Sequence, residues 1–385
     1  MVGLLFGGQS SDKGISSFQG FCTALAGRIG TGNIAGVATA IAWGGPEALF
    51  WMWAIAFLGA GSAFAESTLG QLYKEEHDGE YRGGPAYYIE KGFGGTTFSK
   101  IYATLFAIVT VIAIGVLLPG VQSNSIAVSI NNAFGAEASF GGILGSTIAW
   151  GVKRGVYSNE AGQGTGPQAS SAAEVSHPAK QGFVQAFSVY VDTLFVCSAT
   201  GFMILMTGCY NTFNENTQKI MVENMPGYSI PDIGPVYTQN AINTLIPGFG
   251  RAFVAIALFF FAFTTLMAYY YIAEVNLTYL VKKFTGGKSS KLSINCLRIV
   301  LLGMTAFGCV KSAGLAWMMG DIGVAMMAWL NLIAILALSK KALLCFNDYE
   351  SQLKAGVPRD EISFDPIKLG IKGADFWEQK HNTAK

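Results

Sequence analysis

The 385-residue sequence predicts an all-α polytopic membrane protein, and three observations carry that prediction. Hydrophobic residues make up 51% of the chain and charged residues only 13%, about half the charged share of an ordinary soluble domain. The mean hydropathy is +0.40. Six windows, 29–46, 48–65, 101–136, 193–214, 252–273 and 322–339, hold no charged residue over 18 positions or more. A helix of about 20 residues crosses the hydrocarbon core of a bilayer, and open strands would leave backbone groups unpaired in lipid.

Apolar runs bounded by polar or Gly/Pro punctuation predict eight membrane helices, near 18–43, 47–72, 101–126, 138–157, 183–208, 252–281, 293–311 and 314–339. Lys and Arg concentrate in 73–100, 153–180, 282–298 and from Lys340 onward, while 43–46, 122–137, 209–251 and the turn near 311 hold few or none. By the positive-inside rule the first set is cytoplasmic and the second external. Eight helices then place both termini inside a cytoplasmic membrane, with a transmembrane domain over 1–345. The charged, Pro-punctuated stretch 346–385 is expected to be a cytoplasmic tail.

Several function classes fall away. A net charge of +1 lacks the basic excess of a nucleic-acid binder. Six Cys without a CxxC pair imply neither a disulfide framework nor a zinc site. HExxH and GxSxG are missing, and Gly286-Gly287-Lys288-Ser289 lacks the first Gly of a phosphate loop because position 282 is Lys. The three His, at 77, 177 and 381, lie outside the expected spans, so an enzyme is not expected. The first seventeen residues lack the basic region of a signal peptide.

The stretch from Ala26 to Gly36 carries four Gly in eleven residues inside an apolar run. Each Gly weakens a helix by up to ~1 kcal/mol relative to Ala. Either these glycines form a close packing face or the helix breaks here. A break would expose amides and carbonyls at one point in mid-membrane, fit for a carboxylate and a small cation. The adjacent hydroxyls Thr264 and Thr265 either bond back to the preceding turn or offer hard oxygen ligands, the second only if they face that break. Arg28, Glu66, Asp192, Glu274 and Asp321 are ionisable groups in or beside the spans. Glu66, Glu274 and Asp321 lie near helix ends, where snorkelling or end pairing is expected. The run 151–162, with Lys153, Arg154 and several Gly, reads as a helix stop.

The segments SSFQGFCTALAGRIGTGNIAGVATAIAWGGPEALFWMW, YRGGPAYYIEKG, GVKRGVYSNEAGQG, HPAKQGFVQAFSVYVDTLFVCSAT and FFFAFTTLMAYYYIAE resemble, in order along nearly the whole chain, the alanine or glycine:cation symporter family. The resemblance implies a leucine-transporter-like fold, two inverted repeats of five helices with the first helix of each broken. It maps the substrate carboxylate to Gly30, Thr31 and Gly32 with Asn33 beside it. It maps a sodium site to the Ala26 and Ile29 carbonyls with Thr264 and Thr265. Phe140, Gly141 and Gly142 would sit at the second break, and Gln122 and Asn124 would face the cavity.

Three departures accompany the resemblance. The helix usual before SSFQ is missing, Ile130 is followed almost at once by Ala133 where relatives carry two core helices, and Glu47 replaces a common Gly. The implied function is sodium-coupled symport of alanine or glycine by alternating access, with Na⁺ as coupling ion and membrane lipid as surroundings, in the inner membrane of a prokaryote. The alternatives are a truncated, non-transporting membrane protein and a proton-coupled amino-acid transporter using Asp192 or Glu274.

Overall fold

Ser16 starts the first helix, because its hydroxyl accepts the Gln19 amide while Gln19 Oε1 accepts the Ser16 amide. The computed structural model describes residues 1–6, 11, 13–134, 145–215, 217–230, 233–286 and 291–383. Helix α1 (Ser17–Arg28) stops at Ile29, whose ψ of 92° is extended. A π-helical turn, Gly32–Gly36, then leads into α2 (Val37–Gly44), so the first span is one interrupted helix.

After Gly45 (φ 74°) comes α3 (Ala48–Leu72), followed by a short hairpin, β1 (Glu75–His77) with β2 (Glu80–Arg82), and α4 (Pro85–Gly92). Helix α5 (Thr97–Ile112) continues through a π turn into α6 (Pro119–Phe134), where Pro119 cannot donate to the ladder. Helices α7 (Gly145–Asn159) and α8 (Gly166–Ala172) are separated by an unwound stretch, 160–165. Helix α9 (Pro178–Tyr190) passes through the π segment Val191–Cys197 into α10 (Ser198–Thr207). The hairpin β3 (Asn211–Phe213) with β4 (Ile220–Glu223) and α11 (Pro235–Leu245) precede the long helices α12 (Gly250–Thr285), α13 (Lys291–Val310) and α14 (Ala313–Lys354). The last helix is α15 (Asp375–Thr383).

Among the described residues six continuous stretches are long and apolar enough to cross a membrane: Ala48–Leu72, Thr97–Ser129, Pro178–Thr207, Gly250–Thr285, Lys291–Val310 and Ala313–Lys354. Each overlaps one of the expected stretches, the last running on to Lys354, and the expected stretch 18–43 falls on α1 and α2. The fourth differs. The sequence places its end near 157, yet α7 runs to Asn159 and the chain stays buried through α8, so 158–172 is interior structure rather than a loop. Large apolar side chains face outward along α12 (Phe259, Phe260, Phe263) and α14 (Trp329, Ile333, Leu336), as lipid requires of an all-α multi-pass membrane protein.

Helix α14 crosses position 346 without a break, and the chain beyond it folds back. Ile362, Phe364, Ile371, Ala374 and Trp377 are buried, and Phe364, Ile371, Ala374 and Trp377 join the cluster formed by Leu69, Tyr73 and Tyr88. The Trp377 indole donates to the Gln71 carbonyl (2.8 Å). Polar contacts fasten the same segment: Lys380 to Glu174 (2.6 Å) and Asp375 to Lys91 (2.7 Å).

Candidate functional site

Helix α7 packs on α2 and α3, and α8 on α1 and α3, which brings the two interruptions together. A Cβ added at Gly32 would lie 3.0 Å from the Ser158 Cα, and one at Gly27 would lie 3.2 Å from Glu160 Oε2. Glycine at 32 therefore permits a close backbone approach that a side chain would obstruct.

In an unbroken helix the Gly30 amide would donate to the Ala26 carbonyl. Here Gly30 N–H donates to Asn33 Oδ1 (2.8 Å) and Thr31 N–H to Gln122 Oε1 (3.3 Å). The released Ala26 carbonyl accepts from Thr265 Oγ1 (3.1 Å), which also lies 3.4 Å from the Ile29 carbonyl and 2.9 Å from that of Phe261. Three oxygens of the expected cation site, from Ala26, Ile29 and Thr265, thus converge at the break. Thr264 does not join them. Neighbouring helical residues point about 100° apart, and Thr264 is exposed with its hydroxyl bonded to its own helix at the Phe261 carbonyl (2.9 Å).

Of the expected substrate residues, Gly30, Thr31, Gly32 and Asn33 lie together at the first break, and Gln122 reaches it from α6. Asn124 turns away: its amide donates to the Gly308 (3.1 Å) and Lys311 (2.7 Å) carbonyls at the end of α13. Those C-terminal carbonyls lack helical donors, which explains why they capture the side chain. Phe140, Gly141 and Gly142 lie outside the described residues. The interruption seen in this span falls at 160–165, where Glu160, Gly162 and Gly164 all have positive φ (53°, 82° and 89°).

The buried ionisable residues have partners that sequence alone could not assign. Glu66 is fully buried rather than snorkelling: it accepts from the amides of Gly162 (3.3 Å) and Gly164 (3.1 Å) and from Asn331 (2.7 Å). Asn331 is held in turn by the Tyr88 hydroxyl. Asp192, in the π segment facing the first break, accepts from Asn33 Nδ2 (2.6 Å), Ser158 (3.0 Å) and Thr193 (2.9 Å). Arg28 donates to Ser188 and to Gln185 Oε1 (3.2 Å), and its charge acts on Glu160, Glu66 and Asp192. Glu274 and Asp321 pair at helix edges, with Arg82 (3.3 Å) and Arg154 (3.1 Å) respectively. Arg154 is itself buried, its guanidinium 4.0 Å above the Trp317 ring. Among the described residues no group of three or more His, Cys, Asp or Glu could hold a metal ion. The oxygens at the break are hard, neutral ligands instead, a set suited to an alkali cation.

Two interrupted helices crossing at a buried polar centre, inside a bundle of apolar helices, define a membrane transporter rather than an enzyme. The chain belongs to the sodium:alanine symporter family, whose sequence model matches residues 1–135 and 128–363. It is 51% identical to the putative sodium/proton-dependent alanine carrier protein YrbD of Bacillus subtilis (strain 168), over 99% of this chain and 90% of that protein. It is 44% identical to the sodium/proton-dependent alanine carrier protein of Bacillus sp. (strain PS3), over 98% and 97%. Against the sodium/alanine symporter AgcS of Methanococcus maripaludis the identity is 32%, over 86% and 83%.

The alignment with YrbD runs over 449 positions, 64 more than this chain's 385 residues, so that relative carries residues with no counterpart here. The family model matches in two pieces that meet at 128–135.

Proposed function

We propose that the protein is a sodium-coupled symporter of small neutral amino acids, alanine or glycine, working by alternating access in a cytoplasmic membrane with both termini inside. The observation that carries this reading is the convergence of the Ala26 and Ile29 carbonyls with the Thr265 hydroxyl, beside the Gly30 and Thr31 amides. The three oxygens would hold Na⁺, and the amides, with Gly32, Asn33 and Gln122 around them, would take the substrate carboxylate. In this reading α1 with α2 and α7 with α8 are the first helices of two inverted repeats.

Coupling follows from geometry. The same break supplies carbonyls to the cation and amides to the anion, so either ligand holds it in the shape the other needs, and each raises the other's affinity. Alanine binding should therefore strengthen steeply with Na⁺ and hardly with K⁺. Uptake by reconstituted protein in Na⁺, K⁺ and choline buffers, each at two pH values, tests this. Equal uptake in all three cations would end the sodium reading, and uptake that follows pH alone would replace it with proton coupling.

The junction at 128–135 favours a second reading, a non-transporting membrane protein. Na⁺-driven alanine counterflow in sealed liposomes would remove it.

A further inference from the structure

The Asn33 carboxamide has the polarity of an amino acid laid across the first break. Its oxygen accepts the Gly30 amide (2.8 Å) and its nitrogen donates to Asp192 Oδ1 (2.6 Å). The neighbours settle which end is which, since an amide N–H only donates and a carboxylate only accepts. One end of the side chain thus answers a donor and the other answers an anion, as do the carboxylate and the ammonium of a zwitterion.

Asp192 is fully buried, and among the described residues its hydrogen-bond donors are neutral: Asn33, Ser158 and Thr193. Arg28 acts on it electrostatically from further off, with its Nη1 engaged by Ser188 and Gln185. A buried carboxylate in such a shell gains strongly from a cation in direct contact, because a charge-assisted hydrogen bond there is not weakened by water.

We propose that Asp192 is the ligand of the substrate ammonium, and that an α-amino acid binds by displacing the Asn33 side chain from between Gly30 and Asp192. The carboxylate takes the Gly30 and Thr31 amides and the ammonium takes Asp192 Oδ1. Spacing selects the α class. One carbon separates the oxygen and nitrogen of a carboxamide, two separate a carboxylate oxygen from the ammonium nitrogen in an α-amino acid, and three do so in β-alanine. This inference rests on the reading of Gly30–Gly32 as the carboxylate site.

The test is competition with labelled alanine at saturating Na⁺, using the full chain and three unlabelled competitors: alanine, β-alanine and propionate, which lacks the ammonium. Wild type should prefer alanine to propionate by at least ~100-fold, and Asp192→Asn should lose at least ~30-fold for alanine with little change for propionate, the range expected when one partner of a buried charge pair is removed. The alanine-to-propionate ratio is the deciding number. If Asp192 only positions its neighbours, both ligands weaken together and the ratio stays, which overturns the proposal, as does unchanged alanine binding. β-Alanine competing as well as alanine would overturn the selection of the α class.

Should Asp192→Asn not give folded protein, Asp192→Glu carries the test. Moving the carboxylate by one methylene should lower the alanine-to-propionate ratio at least tenfold, whereas a smaller change in that ratio would sink the assignment of Asp192. Wild type that binds no alanine at any Na⁺ concentration would instead remove the proposed function, and this inference with it.

Discussion

The two interrupted helices satisfy their loosened amides in opposite ways. At the first break Gly30 and Thr31 donate to the carboxamide oxygens of Asn33 and Gln122, neutral groups on rotatable side chains. At the second, Gly162 and Gly164 donate to the Glu66 carboxylate, which Asn331 and Tyr88 lock from behind. Glu66 offers two oxygens at once and is itself held by Asn331, whereas each carboxamide at the first break sits on its own rotatable side chain. The first set of amides can therefore exchange its acceptors for a ligand, while the second is committed to the protein. One break is suited to binding and the other to holding its shape.

The comparison breaks most visibly at Glu66. Glu66→Ala leaves the buried Gly162 and Gly164 amides without their acceptor and Asn331 with the Gly162 carbonyl alone, a loss of about 2–6 kcal/mol at roughly 1–3 kcal/mol per unpaired buried donor. Thermal unfolding in detergent should show a large fall in Tm or no folded protein, and an unchanged Tm would mean that the second break does not depend on its carboxylate cap. Next in size is Gly32→Val. Its side chain would press on Ser158, whose Cα lies 3.0 Å from the new Cβ, and alanine binding should vanish at every Na⁺ concentration in protein that still folds. Retained binding would move the carboxylate away from this break.

The smallest effect sharpens the comparison within one helix. Thr265→Val keeps the shape of the side chain and removes one oxygen from the Ala26–Ile29 cluster, so the Na⁺ concentration for half-maximal uptake should rise several-fold. Thr264→Val, on the exposed face, should leave that concentration unchanged. A Na⁺ titration of both variants beside wild type decides between a shared and a single hydroxyl. Equal shifts would restore the pair.

The first break is legible in the sequence because four glycines in eleven residues weaken a helix wherever it packs, a cost set by the local residues alone. The second is disguised. Lys153 and Arg154 followed by Ser158-Asn159-Glu160-Ala161-Gly162 have the composition of a helix end meeting water, and nothing local reveals that Arg154 lies between Trp317 and Asp321 or that Glu160 is buried. Those partners come from α14 and the packed bundle. The same limit applies to Asp192, whose depth in its span is readable but whose partner Asn33 lies 159 positions away. Thr264 and Thr265 differ only in which face of α12 they occupy, and a helix apolar all round carries no period to assign it. The family resemblance places Gln122 near the first break but carries no sign that Asn124, two residues on, turns to α13.

The segment that folds back after α14 also bears on how the molecule is made. Trp377 sits under the end of α3 with its indole bonded to Gln71, yet it is translated after every membrane helix. Chains fold largely in the order of their synthesis. The bundle must therefore insert and pack while the cleft beneath Gln71 and Tyr73 is still uncovered, and Trp377 enters it as a closing step. Until then the nascent protein exposes an aromatic-lined groove on its surface, open to whatever chaperone or protease meets it first.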